Sequence, residues 1–325
     1  MGGIPVNLFD LPLVQLQTYQ PKQTKKKDFE VFWNNRIKES KLQALDTVIE
    51  DRMYYVPGVQ LYDVTFNGFR NSRIHAMYLK PDKEVNSKTP AAVIFHGYNW
   101  NNLQPNYAFK YLIQGIPVLL VEVRGQNVNS PDHNHYKNGG SSGWMTLGIT
   151  DPDNYYYSYV YMDCYRSVDV LREISGKTEV IAECGSQGGA LAVSTAALQD
   201  GISAALVDIP FLTHFKRSIE LATEGPYNEI YHYFKLHDPL QKKRSAVFDT
   251  LSYVDCMNLA SHISCPSLVG VGLEDKVCPP SSGFALYHHL GGQKQIQVYP
   301  EFAHGLSSVH EERKLQFISS LYNWS

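Results

Sequence analysis

The chain has 325 residues, 43% of them apolar and 19% charged, with a formal charge of −3. That length suits one large domain or two small ones with ample core, and the near-neutral charge gives no basis for binding nucleic acid or an acidic membrane surface. Five cysteines without a CxxC pair form no disulfide framework, and the opening MGGIPVNLFDLPL has neither the basic nor the apolar region of a secretion signal. No apolar run approaches the roughly 18 residues of a membrane span, so a cytoplasmic protein is expected.

Taken in chain order, residues 1–50 read as an N-terminal arm with at least one helix, around Phe29–Leu45. The cluster Lys25-Lys26-Lys27 within it reads as solvated. Val59–Phe66 and Arg73–Leu79 alternate apolar and polar positions, with Asn67-Gly68 and Asn71-Ser72 between them, which predicts an antiparallel hairpin. From Pro90 the pattern changes to short apolar runs. Ala91–Phe95, Val118–Val123, Val180–Ala182, Ala204–Val207 and Leu268–Val271 predict strands buried on both faces, followed by a strand at Gln295–Tyr299. Helices are expected at Tyr107–Gln114, Tyr155–Ile174, Gly188–Leu198 and Gly283–Leu290. Strand and helix in alternation predict a mostly parallel twisted sheet flanked by helices, in a single domain. One stretch interrupts the alternation. Residues 210–259 show no strand and many aromatics (Phe211, Phe215, Tyr227, Tyr231, Tyr233, Phe234), and read as a helical insertion over the C-terminal edge of the sheet, where ligands bind in open α/β folds.

Cys184-Gly185-Ser186-Gln187-Gly188-Gly189 lies between a predicted strand and a helix of small residues. That is the setting of a nucleophile elbow, whose turn is so tight that the residues flanking the serine must be small. The bland alternative is a glycine-rich turn with an incidental serine. Partner order argues against it, because this architecture places the acid and then the histidine after the serine. Glu274 and Asp275 both follow the strand Leu268–Val271, and His304 follows the strand Gln295–Tyr299. The elements together predict the α/β-hydrolase fold. His96-Gly97-Tyr98 follows the strand Ala91–Phe95, where the fold supplies the second backbone N–H of an oxyanion hole. Tyr98 and Gln187 are the two expected donors, and His96 is expected to brace the loop. Arg124-Gly125-Gln126 ends another strand; bracing of the active-site loops is favoured there over substrate binding. His133, His135 and the pair His288-His289 lack the carboxylate or cysteine partners of a zinc site. The run Tyr155–Tyr161 reads as packing rather than a sugar platform.

These residues resemble the acetyl xylan esterase and cephalosporin C deacetylase group, carbohydrate esterase family seven. The resemblance covers roughly residues 55–325: HGYNW at 96–100, VEVRGQ at 121–126, GWMTLGI at 143–149, DPDNYYY at 151–157, GSQGGA at 185–190, DIPFLTHF at 208–215, TLSYVDCMNLA at 250–260 and VGLEDKVCPPSSGFALYHHL at 271–290. It implies Ser186 as nucleophile, Asp275 rather than Glu274 as the acid, and His304 as the base. It also implies Tyr98, Phe211, Pro226 and Val277 around the ester, and neither a cofactor nor a metal. The implied assembly is a cytoplasmic homohexamer without nucleic-acid or membrane partners, and the implied reaction is removal of O-acetyl groups from small acetylated sugars and from cephalosporins. Three positions depart from the pattern: Cys184 for glycine, Leu147 for arginine and Gly305 for glutamate. The alternatives are another serine hydrolase of the same fold, such as a general carboxylesterase or peptidase, and a catalytically impaired assembly protein.

Overall fold

Nine strands join in one sheet in the computed structural model, which describes residues 9–82, 89–100, 103–137 and 140–322. They are β1 Val48–Arg52, β2 Val59–Asn67, β3 Arg73–Pro81, β4 Ala91–Phe95, β5 Val118–Val121, β6 Val180–Gly185, β7 Ile202–Asp208, β8 Ser267–Gly272 and β9 Lys294–Tyr299. The spatial order is β1-β2-β3-β5-β4-β6-β7-β8-β9. The first three strands form an antiparallel meander, β3 pairs antiparallel with β5, and every pairing from β5 to β9 is parallel.

The apolar runs explain the layering. Along β4, Ala91, Val93 and Phe95 enter one core with the helices Tyr156–Ser175 and Gln187–Leu198, while Ala92 and Ile94 enter a second core with Tyr111, Phe317 and Ile318. A strand covered on both sides has no solvent face to alternate toward, and burying each such valine or isoleucine contributes about 1.5–3 kcal/mol. Because the pairings are parallel, the strands' C-terminal ends share one edge, and the loops carrying Tyr98, Ser186, Asp275 and His304 all leave from it.

The expected hairpin is present but belongs to a three-stranded meander. Its third member, β1, lies at the end of what reads as arm and is exposed at every position. The expected helix Tyr107–Gln114 is a 3-10 turn, Pro105–Ala108, followed by one α-helical turn, Phe109–Leu112. The insertion holds the helices Phe215–Leu221, Tyr227–His237, Arg244–Val254 and Cys256–Leu259. Tyr155, Tyr156, Tyr157 and Tyr161 are fully buried. Their hydroxyls donate to Met145 O, Arg124 O, Gln187 Oε1 and Val254 O respectively. They pack and brace rather than present a sugar platform.

The arm is fastened at several points along its length. Ser281 N donates to Asp10 Oδ2 at 2.8 Å, and the ring nitrogens of His288 and His289 reach Leu16 O and Pro21 O. Thr24 N donates to Asn258 Oδ1 at 2.9 Å, and in the helix Phe29–Lys41 Trp33 Nε1 donates to Tyr253 O at 3.0 Å. Lys25 and Lys26, read as solvated, bond to Ser261 and to Asp249. Among the described residues no helix is long and apolar enough to cross a membrane.

Candidate active site

Ser186 sits between β6 and the helix Gln187–Leu198 with φ 57° and ψ −124°, a backbone region that costs a non-glycine residue about 1–3 kcal/mol. Several contacts hold it there. Ser186 N donates to Asp208 O at 2.9 Å, and Ser186 O accepts from Ala190 N at 3.1 Å and Phe211 N at 3.2 Å. The turn is tight: a Cβ on Gly188 would lie 2.5 Å from Cys184 Cβ and 2.6 Å from Phe95 O. Cys184 borders a hollow lined also by Trp100, Tyr107 and Lys110, which gives its side chain room where the family pattern has glycine.

Ser186 Oγ donates to His304 Nε2 at 2.9 Å, and His304 Nδ1 donates to Asp275 Oδ2 at 2.8 Å. The other Asp275 oxygen accepts from Val277 N at 2.9 Å and Cys278 N at 2.8 Å. A fully buried carboxylate needs such donors. With Oδ2 available only as an acceptor, the imidazole proton is confined to Nδ1 and Nε2 is left to accept from serine. Asp275 is the acid that meets His304.

Gln187 and Tyr98 stand on a braced wall. The side-chain amides of Gln126 and Gln187 pair reciprocally, Nε2 of each donating to Oε1 of the other at 2.9 and 3.0 Å. Gln126 Oε1 also accepts from Asn99 N at 3.0 Å, and Gln187 Nε2 donates to His96 O at 3.3 Å. One buried glutamine thus ties the residue after the nucleophile to the residue after Tyr98. Gln187 opens its helix, so its backbone N–H has no acceptor within that helix. His96 holds its own loop: Nδ1 donates to Gly97 O, and Nε2 accepts from Val123 N and Asn127 Nδ2. Burial pushes its pKa down, consistent with a neutral ring.

Arg124 is fully buried, donating to Asp163 through Nε and Nη2 at 2.5 Å each and to Phe69 O at 2.8 Å. Gly125 takes φ +69° and donates to Ser130 O. The arginine therefore faces the protein interior rather than substrate.

A cleft of about 580 Å³ lies above the serine, lined by Gly97, Tyr98, Asn99, Trp100, Ser186, Gly225, Pro226, Glu229, Val277 and His304. Of the residues expected around the ester, Tyr98, Pro226 and Val277 are in this lining. Phe211 is not: it is fully buried, with its ring edge-on to Tyr98 at 6.1 Å, because the chain after β7 passes beneath the elbow, where Phe211 N donates to Ser186 O. It backs the wall instead of forming it. Glu229 and Trp100 were absent from the expected site. Glu229 lies in an aromatic helix (YNEIYHYF) that reads as cover, where its isolated charge was the available signal. Leu147 packs partly buried against the core, and a side chain at Gly305 would meet nothing within 4 Å.

Among the described residues one group of side chains has the spacing to hold a metal ion: Asp275, Cys278 and His304, with ligand atoms all within 4.8 Å of one another. In the arrangement present, both imidazole nitrogens and both carboxylate oxygens are already engaged with each other, with Ser186 or with backbone N–H groups.

The family model described as acetyl xylan esterase matches residues 6–321. The acetyl esterase Axe7A of Xylanibacter ruminicola is 26% identical over a 304-residue alignment that covers 89% of this chain and 66% of that protein; this chain thus spans slightly less than two thirds of that relative's length. Among solved structures, an acetyl xylan esterase from a Paenibacillus species superposes with a TM-score of 0.92 at 38% identity, covering 95% of this chain and 99% of the other. Acetyl xylan esterase 1 from a Thermoanaerobacterium species gives 0.91 at 32% identity, covering 96% and 99%.

Proposed function

The chain belongs to the acetyl xylan esterase family, a family of carboxylic ester hydrolases, and from that premise we propose that it is a serine esterase releasing acetate from small acetylated sugars. The observation that carries this reading is the hydrogen-bonded line Asp275–His304–Ser186 on a strained elbow beneath an open cleft. His304 Nε2 takes the serine proton as Oγ attacks the acetyl carbonyl, and Asp275 stabilises the imidazolium that results. The oxyanion is received by the backbone N–H groups of Tyr98 and Gln187. His304 then protonates the departing sugar oxygen, activates a water against the acyl-serine and restores the resting state.

Val277 and Pro226 line the cleft together with Ser186, and we place the acyl group against them; Gly225 packs so tightly on Val277 that a Cβ there would lie 2.6 Å from Val277 Cγ1. A longer acyl chain must displace Val277 against that backing, at about 1–3 kcal/mol, or roughly tenfold to over a hundredfold in rate. The expected result is a kcat/KM for p-nitrophenyl acetate at least about tenfold above butyrate, with octanoate lower still, and Val277→Ala narrowing the gap. Octanoate turned over as well as acetate would point to a general carboxylesterase. Failure to release acetate from acetylated xylo-oligosaccharides would refute the sugar reading.

Cephalosporin C is proposed as a poorer substrate. It carries carboxylates, and no lysine or arginine lines the described cleft, whereas Glu229 does. We also propose self-association as a homohexamer in a reducing compartment. Exposed Tyr231, Leu236 and Leu240 in and beside the helix Tyr227–His237 favour the first part, and the free state of all five cysteines favours the second. Light scattering at the mass of one chain would refute the assembly.

A further inference from the structure

Glu229 is the only acidic side chain among the described residues lining the cleft, and none of its contacts there is with a cation. Instead its carboxylate ties three segments together. Oε1 accepts from the Tyr98 hydroxyl, and Oε2 accepts from Met145 N at 3.0 Å. The Tyr98 oxygen in turn accepts from Trp144 N at 2.9 Å. The Tyr98 ring is held edge-on between Trp144, at 5.3 Å, and Phe211. Glu229 is in the first turn of the helix Tyr227–His237, so the insertion grips Tyr98 directly. The loop before Trp144 closes the arrangement. Gly143 has φ +78°, and a Cβ on it would lie 2.1 Å from the carboxylate atoms of Glu229, so a side chain there would be strained and would displace that carboxylate.

Each carboxylate oxygen accepts a bond from a protein donor, which engages Glu229 in holding the wall of the cleft. Burial pushes the Glu229 carboxyl above its ordinary range, opposed by the bonds from Tyr98 and Met145, so the site is costly for a charge unless those bonds have a use. An oxyanion donor acts only when its N–H lies within about 2.7–3.1 Å of the developing charge, and the direction of a loop N–H follows the orientation of its residue. Fastening Tyr98 at the tip of its side chain, opposite the Gln126 bond to Asn99 N, leaves its backbone little freedom to turn.

We propose that Glu229 is a positioning residue for the oxyanion hole, acting through the Tyr98 hydroxyl to aim the Tyr98 backbone N–H, so that the helical insertion completes the catalytic centre. The proposal rests on the esterase reading above. Two variants test it. Tyr98→Phe keeps the ring and the N–H but removes the tether, and Glu229→Gln keeps the size but weakens both bonds. Each is assayed with p-nitrophenyl acetate and with its thiono counterpart, in which the carbonyl oxygen is replaced by sulfur, a weak acceptor that draws less on the oxyanion donors.

Each variant should lower kcat on the oxygen ester by about 10- to 100-fold, with KM changed less than about threefold. The loss on the oxygen ester should exceed the loss on the thiono ester by at least about fivefold, and the double variant should lose no more than the worse single. Equal losses on both esters, a loss confined to KM, or unchanged kcat in either folded variant overturns the proposal. Wild-type activity that disappears in Ser186→Ala keeps the esterase reading intact whichever way these variants fall.

Discussion

Replacing Ser186 by alanine should lower kcat on acetyl esters by about 100,000-fold to a million-fold while leaving the melting temperature within a few degrees. The size of the kinetic loss follows from the continuity of the line: without Oγ, His304 has no proton to take and Asp275 no imidazolium to stabilise. The residual rate comes from the oxyanion donors and substrate binding alone. The thermal effect is small because the hydroxyl's main bond is to a partly exposed histidine, and such a bond contributes about 0.5–1.5 kcal/mol. Alanine also keeps the positive φ that the backbone contacts of the elbow impose. A variant retaining more than about a hundredth of wild-type kcat would remove Ser186 as nucleophile.

The largest effect on stability is expected at a residue distant from the chemistry. Lys314, on the helix Ser308–Tyr322, is 3% exposed, with Nζ 2.7 Å from Glu183 Oε1 and 2.9 Å from Asp208 Oδ2. Lys110 and the Tyr111 hydroxyl also meet Glu183, and His310 Nε2 meets Asp208 Oδ1 at 2.6 Å. Lys314→Met leaves two buried carboxylates short of a cation, which costs about 3–5 kcal/mol. The third carboxylate, Glu311, is half exposed and adds little. The effect should depend on pH. Burial alone would raise Glu183, but Lys110 and Lys314 outweigh it and hold it far below the usual range; burial likewise raises Asp208, which Lys314 and His310 bring below its ordinary value. Groups depressed in the folded state stabilise fully above their unfolded pKa, about 4, and lose that contribution as pH falls toward the folded values. Urea titrations should therefore show a large deficit for Lys314→Met at pH 7 that shrinks below about pH 4. Equal stability at pH 7 would mean the cluster is already satisfied without the lysine.

The central sheet is legible because strands covered on both faces carry short, nearly continuous apolar runs, as in Ala91–Phe95 and Val118–Val121. The elbow was legible because its close approaches restrict the residue types around Ser186. By contrast, β1 reads VIEDR, and an exposed edge strand has no buried face to impose a pattern. The helix Ser308–Tyr322 leaves only a weak apolar pattern in the sequence because its buried side mixes His310 and Lys314, which answer Asp208 and Glu183, with Phe317 and Ile318 of the core. Phe211 was misplaced for a related reason: a phenylalanine beside the active site reads equally as wall or as backing, and only the course of the chain after β7 decides. Glu229 and Lys26 make the same point for charges, whose side-chain partners lie far off in the chain.

The arm has a temporal consequence. Asp10, Leu16 and Pro21 leave the ribosome well before the groups that hold them, Ser281, His288 and His289, which follow about 270 positions later. Contacts of such long range form only after the intervening chain has closed its loop. The arm is therefore made long before the groups it docks on, and until they emerge it must wait as an undocked tether. Gln23 and Lys26, which finally bond to Met257 and Asp249 of the insertion, keep it in water until those partners exist to receive it.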